Sequence, residues 1–443
     1  MTGQRGRPKV AIVGAGFGGM ECLRKLRNHP VEAHIYDRHN YHLFTPFLYQ
    51  VATSLMQPAD IAYPIHKATA KQPNGHFHHH EIASVDLDGK SVTTKEGRVD
   101  DFDYLVLALG MQPNFFGNDE IPKVAFPLGT MSHAIRLRNH ILKCLEAAIH
   151  SEDRAEAERH LTFVVVGGGQ TGSEFAGALA ELSRQAVPGE YCELDPNLVR
   201  IVLVEGSDRL LHTMSPRTSR WARRHLESLG VEIRLGHLVK EATESVVTLD
   251  TGEQINANTL VWGAGVKPAS LAEQLPGVVQ EKGGRLRIND RLELVGHEGK
   301  GIYVIGDISS FTWKDEQLPA VATPAIQEGA HVAKNIAASV THGSSAQTAF
   351  KYMDKGQMAA IGRWAAAAET GPIKLYGALG WWTWAVVHIY YLAGFRRRIG
   401  VMSGWFWSFF RQDRPIQVQL EEQLALEIPA EEGASDHVGT TRE

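Results

Sequence analysis

Cysteine is scarce: Cys22, Cys144 and Cys192 are the only three in 443 residues, far apart and in no CxxC or CxxxxC spacing. That excludes a redox-active disulfide and fits a reducing compartment. An excess of positive charge is also missing, since a net charge of −5 offers no footprint for nucleic acid. No Ser/His/Asp or Cys/His constellation supplies a side-chain nucleophile. Only nine residues precede the first apolar run, too few for a signal or transit sequence, so a cytoplasmic folded body is expected. Asp, Glu, Lys and Arg are all absent from Leu375 to Phe395. Otherwise the composition, 43% hydrophobic and 21% charged, is that of a globular protein long enough for two or three domains.

What is present is glycine in a particular pattern, twice. The apolar strand Val10–Val13 runs into Gly14-Ala15-Gly16-Phe17-Gly18-Gly19 and then a helical pattern from Met20. Glycines at 14, 16 and 19 fit G-x-G-x-x-G. The first permits a tight turn, the second lets backbone approach a pyrophosphate, and the third lets helix and strand pack closely. The helix N-terminus adds free N–H groups and a positive dipole end. Asp37, closing the next strand Val31–Tyr36, is the acid expected on a ribose. The pattern recurs as strand Thr162–Val166, Gly167-Gly168-Gly169-Gln170-Thr171-Gly172, a helix through Leu182, and strand Arg200–Val204 ending at Glu205. The segment Arg184–Asn197 reads as a loop extension between them. Glu205 would favour a ribose 2′-OH over a 2′-phosphate, hence NADH over NADPH, although Arg209 is close by.

Between the two loops, His42–Thr53 is apolar, aromatic and punctuated by Pro46, and reads as packed against something flat. His76, His78, His79 and His80 read as a solvated strand more than a metal site. Ser91–Val99 reads as a hairpin, Asp103–Leu109 as a buried strand ending at Gly110, and Met111–Pro113 as a domain crossing. Gly301–Asp307 is a second buried strand with an acid at its carboxyl end. Thr323 and Pro324 predict an N-cap and first position for a helix to about Val340, its positive end suited to a developing anion.

The last hundred residues differ in kind. Five of the nine tryptophans lie between Trp381 and Trp407, beside Arg396–Arg398. Trp and Tyr with adjacent Arg suit a bilayer headgroup region. One helix over Leu375–Phe395 would be about 31 Å long, enough to span. Because the tryptophans sit inside the stretch instead of bracketing it, two in-plane helices are the favoured reading, with a buried dimer contact a third. The acidic end, Glu421–Glu443, reads as disordered.

Two loops, each with its own acid, suggest two nucleotides face to face: a bound flavin and a diffusing nicotinamide. Hydride would pass from nicotinamide C4 to flavin N5. At this point the residues resemble the type II NADH dehydrogenases, single-subunit, non-pumping NADH:quinone oxidoreductases. The matching stretches are Gly14–Gly19, His42–Thr53, Gly167–Leu182, Val204–Leu211, Val261–Gly265, Tyr303–Asp307, Leu318–Ala333, Tyr352–Arg363 and the Trp-rich end. The resemblance implies an α/β fold of two Rossmann-like dinucleotide-binding domains plus a C-terminal amphipathic helical membrane-binding segment. Residues 1–113 and 289–345 would hold non-covalent FAD, 114–288 would hold NADH, and 346–420 would lie on the inner face of the cytoplasmic membrane, where a quinone is reduced. A homodimer is left open.

The resemblance further implies Glu174 beside the nicotinamide and flavin, and Gln327 near the flavin on the quinone side, as the catalytic pair. The expected cofactor-binding set is Gly14, Gly16, Phe17, Gly18, Gly19, Asp37, Arg38, Gly110, Asp307, Ala325, Gly167, Gly169, Gly172, Glu205 and Gly265, with no metal. The sequence departs from the family pattern at Thr323, where many members carry Gln, and at Gln170. Two competing readings are a sulfide:quinone oxidoreductase, which needs a reactive cysteine pair near the flavin, and a non-catalytic membrane-tethered NADH sensor.

Overall fold

The computed structural model describes residues 6–281 and 283–411. The acidic stretch Glu421–Glu443 lies outside the described residues, as does the end of the 346–420 region.

Two five-stranded parallel sheets organise the chain, built alike. The first has the order Ile302–Val304, Tyr104–Leu107, Lys9–Val13, Glu32–Asp37, Gly75–His79. The second has the order Ala125–Pro127, Thr259–Trp262, Thr162–Val166, Arg200–Glu205, Val231–Leu235. In each, a strand that is apolar after its first residue sits at the centre and feeds a glycine loop, and the acid-ending strand is its neighbour. Strands buried on both faces read as unbroken apolar runs, which is why Val10–Val13 and Phe163–Val166 lie in the core. Ligands of such open sheets bind at the carboxyl edge where strand order reverses.

The two sheets are joined by a paired crossing. Met111–Pro113 runs antiparallel to Val266–Pro268. The strand Ile302–Val304 then returns to the first sheet, pairing with Tyr104–Leu107. A third, antiparallel sheet of Gln357–Gly362, Ala365–Thr370 and Ile373–Tyr376 docks on the helix Gln170–Gly189. The contact is close: a Cβ on Gly177 would meet the Ile361 carbonyl oxygen at 2.0 Å.

Two sequence expectations change, and the alternatives for the uncharged run narrow to the two-helix reading. The Arg184–Asn197 insert is not all loop, because the helix begun at Gln170 continues to Gly189. The helix expected from Pro324 spans Ala322–His342, with Val321 at the N-cap and no side-chain cap, so Thr323 lies inside the first turn. The uncharged run Leu375–Phe395 is not one helix. It divides into the end of a strand, a helix Gly377–Tyr391, and the start of a second helix Phe395–Arg411. Gly394, with φ of +93°, makes the turn between them. Fifteen helical residues are about 22 Å long, short of a bilayer core, and no described helix is long and apolar enough to cross a membrane.

The aromatic segment after the first loop packs against protein. Phe44, Phe47 and Leu48–Ala52 share one core with the Met131–His150 helix and with Trp381, Trp384 and Trp405. Phe47 contacts Trp384, Trp405 and His388 at ring distances of 5.5 to 5.7 Å, and Trp405 Nε1 donates to Gln50 Oε1 at 2.8 Å.

Candidate active site

Each glycine loop is held by the same three-part arrangement. Gly14 N donates to Tyr36 O, and Gly167 N to Val204 O, both at 2.8 Å. Asp37 Oδ2 accepts from Ala15 N at 2.7 Å, and Glu205 Oε2 accepts from the corresponding Gly168 N. The other oxygen of each acid takes the backbone N–H two residues on, His39 and Ser207, again at 2.7 Å. Burial works to raise the Asp37 carboxyl, but hydrogen bonds from the His39 side chain and from the Ala15 and His39 N–H groups outweigh it and hold it low. The acids therefore fix the loops.

The glycines separate by role. Gly14 and Gly167 have φ of +107° and +103°, and an added Cβ would strike the neighbouring strand end at 2.2 and 2.7 Å. A Cβ on Gly19 or Gly172 would meet the Gly14 or Gly167 carbonyl oxygen at 1.9 or 1.8 Å. Around Gly16 and Gly169 a Cβ would meet nothing within 4 Å. The first and third glycines are thus required by the fold and the middle one is not, as expected where a ligand's pyrophosphate takes the space. Both loops fit a dinucleotide by this test.

The remaining expected residues divide between those sites. Phe17 stacks edge-on against His42 and Phe44 at 5.1 and 5.7 Å. Arg38 lies 3.9 Å from Glu81. Gly110 and Gly265 are equivalents, with φ of +69° and +71°, each immediately before a crossing strand. Ala325, in the first turn of Ala322–His342, lies against both Gly18 and Gly306. Arg209 is turned onto its own loop, donating to His212 O and Met214 O at 2.7 and 3.2 Å.

Two buried carboxyls stand beside the loops. Glu174 is pushed up to about 8 by burial, and its Oε1 accepts from Ala360 N at 3.0 Å. Glu328 is also pushed up to about 8 by burial. It accepts from Gly306 N at 2.5 Å and from the Ser309 hydroxyl at 3.1 Å. Asp307 beside it is raised by burial too. The nearby guanidinium of Arg285 is lowered by its own burial and opposed by the charges of Asp307 and Glu328. Gln327 faces outward, with both ends of its amide taken by the Met353 backbone at 2.9 Å.

Comparison with known proteins agrees with this geometry. Residues 8–329 match the model of the pyridine nucleotide-disulphide oxidoreductases. The type II NADH:quinone oxidoreductase NdhA of Mycobacterium tuberculosis is 35% identical over 92% of this chain and 88% of its own length. The type II NADH:quinone oxidoreductase of Staphylococcus haemolyticus is 31% identical over 80% and 88%. The chain belongs to the type II NADH:quinone oxidoreductases. A structure of NDH2 from Plasmodium falciparum in complex with NADH, 19% identical, shares the fold, with a TM-score of 0.84 over 91% of this chain and 98% of that one. The sulfide:quinone oxidoreductase of Aquifex aeolicus, 18% identical, has a TM-score of 0.71 over 94% and 96%.

Within this type II oxidoreductase, sequence reasoning missed three buried groups. Glu328 had a signal, being the one acid in an Ala/Gly-rich helix face next to Gly329. His42 had none: its Nδ1 sits 2.9 Å from Ala15 O, a contact the chain order hides. Arg138 had the plainest signal, a charge on the apolar face of Met131–His150.

Proposed function

We propose that this chain oxidises NADH and reduces a membrane quinone through non-covalent FAD, feeding a respiratory chain without pumping protons. The first loop with Asp37, Arg38 and the returning Asp307 holds FAD. The second loop with Glu205 holds NADH. When bound, FAD supplies the chemistry, accepting a hydride equivalent at N5 and passing two electrons on. The chain's own groups position and stabilise. The uncapped N-terminus of Ala322–His342 offers its dipole to negative charge near Ala325. Glu174 and Glu328 keep a proton near neutrality, which suits a reduction that consumes two protons at the quinone.

The observation that carries the reading is the duplicated loop-and-acid geometry with open space at Gly16 and Gly169. The membrane assignment rests on two exposed apolar stripes. Leu379, Trp382, Val386 and Tyr390 line one, and Phe395, Ile399, Met402 and Phe406 the other, all between 46% and 78% exposed. Spacing of three and four residues puts each set on one helix face, suited to lying in the headgroup plane. Arg397 and Arg398 fasten the turn between the helices, donating to Ala59 O, Leu392 O and Tyr390 O. These helices form the peripheral contact, on the cytoplasmic face.

The sulfide reading lacks its cysteines. Cys22 and Cys144 are buried with thiols raised by desolvation, and Cys192 is exposed on the insert. Anaerobic titration tests the choice. NADH bleaches the flavin absorbance and a soluble quinone restores it; bleaching by sulfide but not by NADH would refute the proposal.

A further inference from the structure

Outside the nucleotide sites, the helices Phe17–Lys25 and Ala322–His342 border a basic groove. They touch where a Cβ on Gly329 would meet the Gly18 carbonyl oxygen at 2.2 Å. Toward their C-terminal ends they line an open groove of about 720 Å³. Ala330, Lys334, Ala337, Ala338 and Thr341, spaced by three and four, share the helix face along it. The alanines keep that face low. Lys25, His29 and Lys351 join Lys334 around it, and no Asp or Glu lines it among the described residues. Burial lowers His331, the Lys334 charge adds to this, and Asp290 opposes it. None of the three lysine ammonium groups has an ion pair or side-chain hydrogen bond among the described residues. Lys25 stands in the last turn of its helix, where a cation complements the dipole. Lys334, in mid-helix, and Lys351, outside any helix, have no such local reason.

The groove lies beside the C-terminal helices. Gln327, also on its lining, spends both ends of its amide on the Met353 backbone at 2.9 Å, and Met353 is itself an exposed apolar side chain. Two residues on, Lys355 Nζ donates to Tyr391 OH at 2.9 Å. On the other helix, Arg24 adjoins Lys25. Its guanidinium is raised by the hydrogen bond to Glu21 and further by the neighbouring Tyr390. Tyr390 belongs to the exposed stripe of Gly377–Tyr391. The groove and the stripe therefore share a border at Tyr390 and Tyr391.

We propose that this groove seats the phosphate headgroup of an anionic phospholipid, its acyl chains passing Met353 and Tyr390 into the leaflet that holds the C-terminal helices. The inference rests on the membrane reading above. Ammonium groups bind phosphate as point charges. Exposed lysines are individually weak and screened by salt, which makes them poor ligands for a free phosphate ion. A lipid of the same leaflet is already confined beside the groove, so its contact follows helix insertion as an intramolecular step at high effective concentration. Near an anionic membrane each lysine then strengthens binding roughly fivefold. The apolar stripes supply attachment to any bilayer, and the groove supplies preference for an anionic one.

The test is co-sedimentation of full-length protein with vesicles of phosphatidylcholine alone and of an equimolar mixture with phosphatidylglycerol. The combined variant K25Q/K334Q/K351Q removes the charges. A338F fills the groove and leaves the charge unchanged. K95Q/K123Q/K240Q removes three exposed lysines elsewhere. Melting temperatures establish that each variant is folded. The groove variant is expected to bind the mixed vesicles roughly 100-fold more weakly than wild type and the neutral ones equally well. A338F should also lose affinity for the mixed vesicles only, and the distant variant should lose far less than the groove variant. Wild-type affinity in either the groove variant or A338F overturns the proposal. So does an equal loss in the distant variant, which would make the attraction one of overall charge. Calorimetry with inorganic phosphate and no lipid separates the other source. Saturable phosphate binding that the groove variant abolishes would assign the groove to a soluble anion and overturn the lipid. A wild-type protein that binds neither vesicle refutes the parent membrane reading instead.

Discussion

Glu205 ties its loop to its strand through Gly168 and Ser207, so a substitution there must keep the hydrogen-bond acceptor. Glu205→Gln keeps one of the two acceptor oxygens while removing the negative charge that a 2′-phosphate would meet. The ratio of kcat/KM for NADH over NADPH should fall by about tenfold, the effect of some 1.4 kcal/mol; an unchanged ratio removes the assigned role. Glu328 predicts a pH dependence. Its carboxyl is raised by burial to about 8, against about 4.3 in an unfolded chain. Between those values the folded state binds more protons than the unfolded state, so stability falls as pH rises through the window and levels above it. Glu328→Gln should therefore flatten the decline of melting temperature between roughly pH 4 and pH 8. An unaltered slope would mean that other groups carry it. The Glu205 effect was readable from the strand that ends there after a glycine loop, whereas Glu328 acquires its environment only when the Ile302–Val304 strand returns beside its helix.

At the scale of the loop and its helix, the three glycines of one motif should respond differently to the same methyl group. Gly16→Ala meets open space, so the apoprotein should fold and melt as wild type while losing flavin. Gly19→Ala drives a Cβ into the Gly14 carbonyl at 1.9 Å, and Gly329→Ala into the Gly18 carbonyl at 2.2 Å. Each should cost about 2 kcal/mol of stability, read as a lower denaturant midpoint. The second loop gives the matching control, since Gly169→Ala should raise the KM for NADH and leave flavin content intact. Flavin loss from Gly169→Ala with NADH binding unaffected would reverse the assignment of the two sites. The loops were legible because a tight turn, a close approach and a helix start impose local constraints that short sequence windows record. The extent of the Gln170–Gly189 helix was not, because Pro188-Gly189 signals a break without saying where the preceding helix ends.

For the whole molecule, the C-terminal helices divide their tryptophans between two jobs. Trp384 is buried against Phe47, His388 and Trp405, whereas Trp382 is 56% exposed. Trp384→Ala should cost about 3–5 kcal/mol of stability, measured by chemical denaturation. Trp382→Ser combined with Val386→Ser and Phe406→Ser should leave stability nearly unchanged and lower liposome co-sedimentation at least tenfold, since each exposed side chain is worth about 1.5–3 kcal/mol when buried in lipid. Undiminished sedimentation would remove these helices from the membrane contact.

The sequence by itself determined what is local and repeated: two strand–glycine-loop–helix units, each with its acid, and an aromatic end unlike the rest of the chain. These follow from backbone constraints and periodicity, which act over a few residues. Tertiary structure alone decided which faces meet. It broke the uncharged run at Gly394 into two helices too short to span, and sorted exposed tryptophans from buried ones. It set Glu328 beside Gly306 and buried Arg138 within the core around the Met131–His150 helix. Such placements depend on packing between elements distant in the chain, where one apolar face must be covered by another, and spacing carries no record of the partner.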